Sequence, residues 1–144
     1  VGVTTTEGKP AAEDKSVQPK VLVFSCNWST YPGLQLSRLE ESGTVSEPII
    51  TMCTGRLDPE LILEAFSRGA WGVFVAGCPP DECEHDGNYK TRRRILLLKK
   101  TLGQLGVLPS RLTLEWVSTG ESAKLAKLVG DFTARMAQLG PQRR

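Results

Sequence analysis

Four short apolar runs alternate with helix-like stretches, and that alternation constrains the fold more than any other feature of the chain. The runs are residues 21–25 (VLVFS), 49–52 (IITM), 72–77 (GVFVAG) and 112–117 (LTLEWV). None has the clean in-out alternation of a half-exposed strand. Each therefore suits a strand buried on both faces of a parallel sheet. Helical patterns follow the runs, at residues 33–41, 58–68, 89–105 and 121–139. The order β-α-β-α-β-α-β-α predicts an α/β fold. Its expected form is a short, mostly parallel four-stranded sheet with helices on both faces, a flavodoxin- or Rossmann-like three-layer arrangement with right-handed crossovers.

The helix signals differ in strength. Residues 58–68 open with Asp58 and Pro59, an N-cap followed by proline at the first helical position, and Gly69 ends them. Ile95, Leu98, Leu102 and Leu105 recur at three- and four-residue steps, with Gly106 and Pro109 beyond. Leu125, Leu128, Val129, Phe132, Met136 and Leu139 make the clearest stripe, closed by Gly140-Pro141. In residues 33–41 only Leu34, Leu36 and Leu39 partly fit the period. Residues 1–19 have no hydrophobic period and read as a flexible N-terminal arm. Residues 20–141 form the expected domain, with 142–144 as a tail.

At 144 residues the chain is sized for one core. Its 18 basic and 16 acidic residues leave a net charge of +2, too balanced for nucleic-acid binding by bulk charge. The longest apolar run, around residues 70–76, is far short of the roughly 20 residues that span a bilayer, so no membrane span is expected. The first residues lack an apolar core of signal-peptide type, which makes the cytoplasm the expected compartment. No phosphate-binding Walker loop, GxGxxG fingerprint or Ser-His-Asp set can be placed.

The four cysteines are Cys26, Cys53, Cys78 and Cys83, in the spacing C-x26-C-x24-C-x4-C. That spacing matches no short zinc signature. Its meaning comes from the strands: Cys26, Cys53 and Cys78 each follow an apolar run, and Cys83 lies in the loop after the third. In a parallel sheet the carboxyl ends of all strands lie on one edge, where open α/β folds bind ligands. The four thiols are therefore expected to converge. A disulfide framework does not suit a reducing compartment. A zinc site usually draws on tighter C-x2–4-C knuckles. An iron–sulfur cluster accepts four thiolates at wide spacing, and helix N-termini beside such loops favour its negative charge.

The stretches VLVFSCNWSTYPG, MCTGRLDPELILEAFSRGAWGVFVAGCPPDEC and GNYKTRRRILLLKKTLGQLGV resemble the delta subunit of methyl-viologen-reducing hydrogenase. Members of that family are iron–sulfur proteins, found too with heterodisulfide reductases and related anaerobic complexes. The resemblance covers about residues 20–141. It implies a non-catalytic [2Fe-2S] electron-transfer subunit, with Cys26, Cys53, Cys78 and Cys83 as iron ligands. The implied partners are a donor module, such as a hydrogenase or formate dehydrogenase, and a heterodisulfide-reductase-like flavin subunit in a complex of electron-bifurcating type. The chain departs from the family pattern at Ser29, which stands where a second cysteine would make C-x-x-C. It departs again at Glu84, where a histidine usually follows the last cysteine; here that histidine is His85.

Other residues carry two readings each. His85 is expected to bond a cluster sulfur or face solvent, since a Rieske-type site needs two histidines. Asp81, Glu82, Glu84 and Asp86 form an acidic collar, solvated or partner-docking. Lys90, Arg92, Arg93, Arg94, Lys99 and Lys100 make one helix basic, for solvent or for an acidic partner. Arg56 beside Cys53 is a candidate stabiliser of thiolates, and Gly55 and Gly77 are candidates for close backbone approach. Trp28 either shields the site or packs. Two rival functions stay open: a structural zinc adaptor, and a thiol oxidoreductase using Cys78 and Cys83.

Overall fold

The computed structural model describes residues 18–29 and 46–143. Most of the expected N-terminal arm and the whole helical pattern at residues 33–41 lie outside the described residues. Four parallel strands form one sheet: β1 (Val21–Cys26), β2 (Ser46–Thr51), β3 (Gly72–Gly77) and β4 (Leu112–Trp116). Their order across the sheet is β2-β1-β3-β4, with Val21 of β1 level with Ser46 of β2 and Gly72 of β3. Three helices are described: α1 (Pro59–Ser67), α2 (Gly87–Gln104) and α3 (Ser122–Leu139).

Side-chain alternation along the strands sorts the core into two layers. Val73 and Val75 of β3 and Phe24 of β1 face α1 and α2, packing with Ile62, Phe66, Ile95, Leu98 and Leu102. Phe74, Ala76, Val21 and Val23 face the other way, onto Leu125, Val129, Phe132 and Met136 of α3. Phe74 and Phe132 meet edge to face at 5.7 Å. Helices therefore cover both faces, and β3 is buried along its whole length. The first strand run is extended by one residue, to Cys26. β2 begins earlier than its apolar run suggests and takes in Pro48, which an edge strand tolerates because one side of its backbone has no neighbour to bond among the described residues.

Local signals act as expected at α1. Asp58 accepts a hydrogen bond from the Glu60 N–H at 2.9 Å, Pro59 opens the helix, and Gly69 leaves it at φ 97°. The opposite end of the sheet is tied by a residue without a sequence signal. Arg111 is buried, and its Nη1 donates to the Trp71 and Gly140 carbonyls, both at 2.9 Å. It clamps the entry to β3 against the end of α3. No described helix is long and apolar enough to cross a membrane.

Candidate metal centre

The chain runs from β1 out to β2 on one side, then back across to β3 on the other. Such a reversal opens a crevice between β1 and β3 at their carboxyl ends. Cys26 is the last residue of β1 and Cys78 immediately follows β3, so the two flank this crevice. Their sulfurs lie 3.4 Å apart. Cys53 follows β2 and caps a 3-10 turn over Thr54–Arg56. Cys83 lies in the loop that carries the chain from β3 to α2. All four line one cavity of about 140 Å³, with Ser29 and Trp28 in its wall. All four are reduced; Cys26, Cys53 and Cys78 are buried and Cys83 is half-buried.

The loop from Cys78 to Gly87 is shaped to bring Cys83 back. Asp81 and Asp86 both sit in the left-handed region, at φ 69° and 48°. The Asn88 side-chain amide donates to the carbonyls of Cys78 and Pro79, at 3.3 and 3.0 Å, and so ties the start of the loop to its end. Thr91 hydrogen-bonds with the Thr54 hydroxyl at 3.0 Å and with the Gly87 carbonyl at 2.9 Å. Arg94 reaches from α2 to the carbonyls of Gly55 and Leu57. The basic helix thus spends one of its cations on holding the Cys53 turn.

Backbone contact closes the site from below. A Cβ on Gly55 would lie 2.7 Å from the Gly87 Cα, and a Cβ on Gly87 would overlap the Cys53 sulfur. Glycine is required at both because the Cys53 turn and the start of α2 touch directly. Gly77 serves a different end: its close neighbour is the Trp116 ring, 3.0 Å from where a Cβ would be. Gly87 is a site residue that sequence reasoning did not single out, and its one weak signal was its place ahead of a helix. Ser29 was marked only as the residue in place of a second cysteine, not as a buried hydroxyl in the cavity wall.

The electrostatics distinguish the sulfurs. Burial pushes the Cys78 thiol up to about 12; the Ser29 hydroxyl pulls against that rise and Cys26 adds to it. Burial also raises Cys53, offset in part by the Gly55 N–H, while the neighbouring sulfurs of Cys83 and Cys26 raise it further. Cys83 goes the other way. Burial would raise it, but the N–H groups of His85, Asn88 and Gly87 point to its sulfur and, with Cys78, bring it below the ordinary thiol value. These donors include the first residues of α2, whose N-terminus favours negative charge.

Around the rim, the His85 ring stands 6.2 Å from Trp28, edge to face. Glu82 and Glu84 of the acidic collar line the mouth. A second, open recess of about 330 Å³ shares Trp28, Cys53 and His85 with the first and adds Met52, Arg56 and Lys90. Trp28 and Met52 are 53% and 63% exposed, large values for apolar side chains next to buried sulfurs.

Four convergent thiols in a partly enclosed cavity suit a soft, thiolate-bound metal group. Among the described residues, no three His, Cys, Asp or Glu side chains are gathered tightly enough to hold one ion. The cavity has room for several water-sized groups, more than a lone ion occupies. A binuclear iron–sulfur unit needs two sulfurs per iron, and the N–H donors at Cys53 and Cys83 suit its anionic charge. The residues present fit such a group.

Comparison with known proteins identifies the family. The family described as "Methyl-viologen-reducing hydrogenase, delta subunit" matches residues 21–140. The chain is 43% identical over 129 residues to the vhu iron-sulfur subunit of the F420-non-reducing hydrogenase of Methanopyrus kandleri, covering 88% of this chain and 98% of that protein. It is 38% identical over 130 residues to the vhc iron-sulfur subunit of the F420-non-reducing hydrogenase of Methanococcus voltae, covering 86% and 88%. A third relative is one subunit of the ferredoxin/F(420)H(2)-dependent CoB-CoM heterodisulfide reductase of Methanosarcina acetivorans. Identity there is 35% over 136 residues, which is 92% of this chain and 17% of that much longer protein.

Proposed function

The chain belongs to the family of methyl-viologen-reducing hydrogenase delta subunits, and from that premise we propose that it carries single electrons through a [2Fe-2S] cluster held by Cys26, Cys53, Cys78 and Cys83. The observation that carries the proposal is the one cavity lined by all four cysteines, which come from three separate strand ends and one loop. When bound, such a cluster takes up and gives back one electron at a time. The protein's part is to hold, tune and shield. Cys26 and Cys78 supply the buried pair of sulfurs, and Cys53 and Cys83 the pair nearer the rim. The N–H groups of Gly55, Gly87, Asn88 and His85 offset negative charge on that outer pair.

Substrate chemistry belongs, on this reading, to partner subunits, and the chain itself catalyses nothing. Relatives named as subunits of hydrogenases and of a heterodisulfide reductase support partners of both kinds. The donor is then a hydrogenase, formate dehydrogenase or similar module, and the acceptor a heterodisulfide-reductase-like flavin subunit. That assembly is compatible with electron bifurcation. The exposed Trp28 and Met52, beside Arg56 and Lys90, offer the approach to the outer pair. Their apolar surface and positive charge suit docking that brings two redox centres close.

The test is anaerobic purification followed by iron, zinc and acid-labile sulfide analysis with a visible spectrum. The proposal expects about two irons and two sulfides per chain. Zinc without iron would replace it with a structural adaptor. A metal-free protein with a reducible disulfide would replace it with a thiol oxidoreductase.

A further inference from the structure

Ser29 lies three residues past Cys26, and its side chain is only 5% exposed. Although it lies close enough to act on Cys78, its Oγ makes no hydrogen bond of good geometry among the described residues. A buried hydroxyl left in that condition is costly, and such groups mark places where a further acceptor is held. The hydroxyl stands in the wall of the four-cysteine cavity.

The Cys26 and Cys78 sulfurs lie 3.4 Å apart and share a hydrogen bond, one thiol donating to the other. Metal ligation strips both protons. Each sulfur then becomes an acceptor only, and the unpartnered hydroxyl gains an anionic acceptor in its own cavity. The Ser29 hydroxyl and both of these sulfurs line the same cavity.

Resting on the iron–sulfur reading above, we propose that the Ser29 hydroxyl donates a hydrogen bond to the metal-bound Cys78 sulfur and thereby raises the reduction potential of the centre. The donors to the outer sulfurs are backbone N–H groups: Gly55 for Cys53, and Gly87, Asn88 and His85 for Cys83. A backbone donor is present whatever the side chain. The inner sulfur of Cys78 is served by a side chain instead, so residue 29 is where substitution can retune the centre without rebuilding its cage. An added electron increases the charge on the sulfurs, and the O–H···S bond strengthens with it. Ser29 is thus a positioning residue for charge and not an iron ligand.

The experiment compares the anaerobically purified wild-type chain with Ser29→Ala. Iron and sulfide are measured, the reduced centre is titrated by electron paramagnetic resonance, and proton couplings are recorded after transfer to D2O. Ser29→Ala is expected to keep the wild-type iron content. At the wild-type midpoint, its ratio of reduced to oxidised centres falls about fivefold, the effect of one ordinary hydrogen bond. The reduced wild type shows a hydroxyl proton coupling that exchanges at once, ahead of the buried amides; Ser29→Ala lacks it. An unchanged ratio overturns the proposal. So does loss of about half the iron from a folded variant, which would make Ser29 a ligand. If the variant does not fold, absence of the fast-exchanging coupling in the wild type overturns the proposal. A wild-type chain without iron removes the iron–sulfur reading itself, a separate failure.

Discussion

Replacing Gly87 by alanine separates the folding of this domain from the assembly of its proposed metal site. Gly87 is the first residue of α2, and its backbone requires no left-handed angle, so alanine suits the helix and improves its propensity by at most about 1 kcal/mol. The new methyl group would overlap the Cys53 sulfur. Overpacking of this kind costs about 1–3 kcal/mol. The two effects partly offset, leaving a net loss of no more than about 3 kcal/mol, or a fall in melting temperature of no more than about 10 °C. The metal site is far less forgiving. Ligand distances tolerate errors of about 0.2 Å, and Cys53 can escape the methyl only by moving much farther. Gly87→Ala should therefore fold, with a far-ultraviolet spectrum like the wild type's, and bind less than half the wild-type iron. Gly103→Ala is the control: its Cβ meets only Pro109 Cγ at 3.6 Å, an ordinary contact. It should keep full iron and melt about 2–3 °C higher. A Gly87→Ala chain with full iron and an unchanged visible spectrum would refute the argument.

Other predictions follow from the thiols and from Arg111. In the metal-free chain at pH 8, alkylation followed by peptide mass spectrometry should label Cys83 first and Cys78 last, because the first lies below the ordinary thiol pKa and the second is pushed up to about 12. The raised Cys78 also sets a sign for stability. Its protonated form is favoured by folding, so that contribution is complete below pH 9.0 and is lost as pH rises from 9.0 towards about 12. Melting curves of the metal-free chain should move down across that alkaline window. Arg111→Met removes the donors to one buried and one part-buried carbonyl and should cost about 2 kcal/mol in a chemical denaturation series. Iron per folded chain should not change, since Arg111 lies at the far end of the sheet.

Features that depend on local pattern were legible in the sequence alone. Apolar runs placed all four strands, and the Asp58-Pro59 pair placed the start of α1 within a residue. Strand polarity then put Cys26, Cys53 and Cys78 on one edge. What stayed hidden depends on approach between segments distant in the chain. Arg94 reads as one more cation on a basic helix until its reach to Gly55 and Leu57 is seen. Gly87 reads as a helix start until the Cys53 turn is laid against it. Arg111 reads as a surface residue, because nothing nearby in sequence announces the Trp71 and Gly140 carbonyls. Ser29 reads only as a missing second cysteine, and burial is what shows its hydroxyl cut off from water in the cavity wall.

The distribution of the cysteines over neighbouring strand ends also governs biogenesis. A short knuckle can seize metal as it leaves the ribosome, because its ligands are adjacent from the outset. Here Cys78 reaches Cys26 only after β3 has docked beside β1, and Cys83 joins them only once α2 has been laid down. On the iron–sulfur proposal, loading is consequently a late event, performed on a finished scaffold by an iron donor that meets the carboxyl rim from outside.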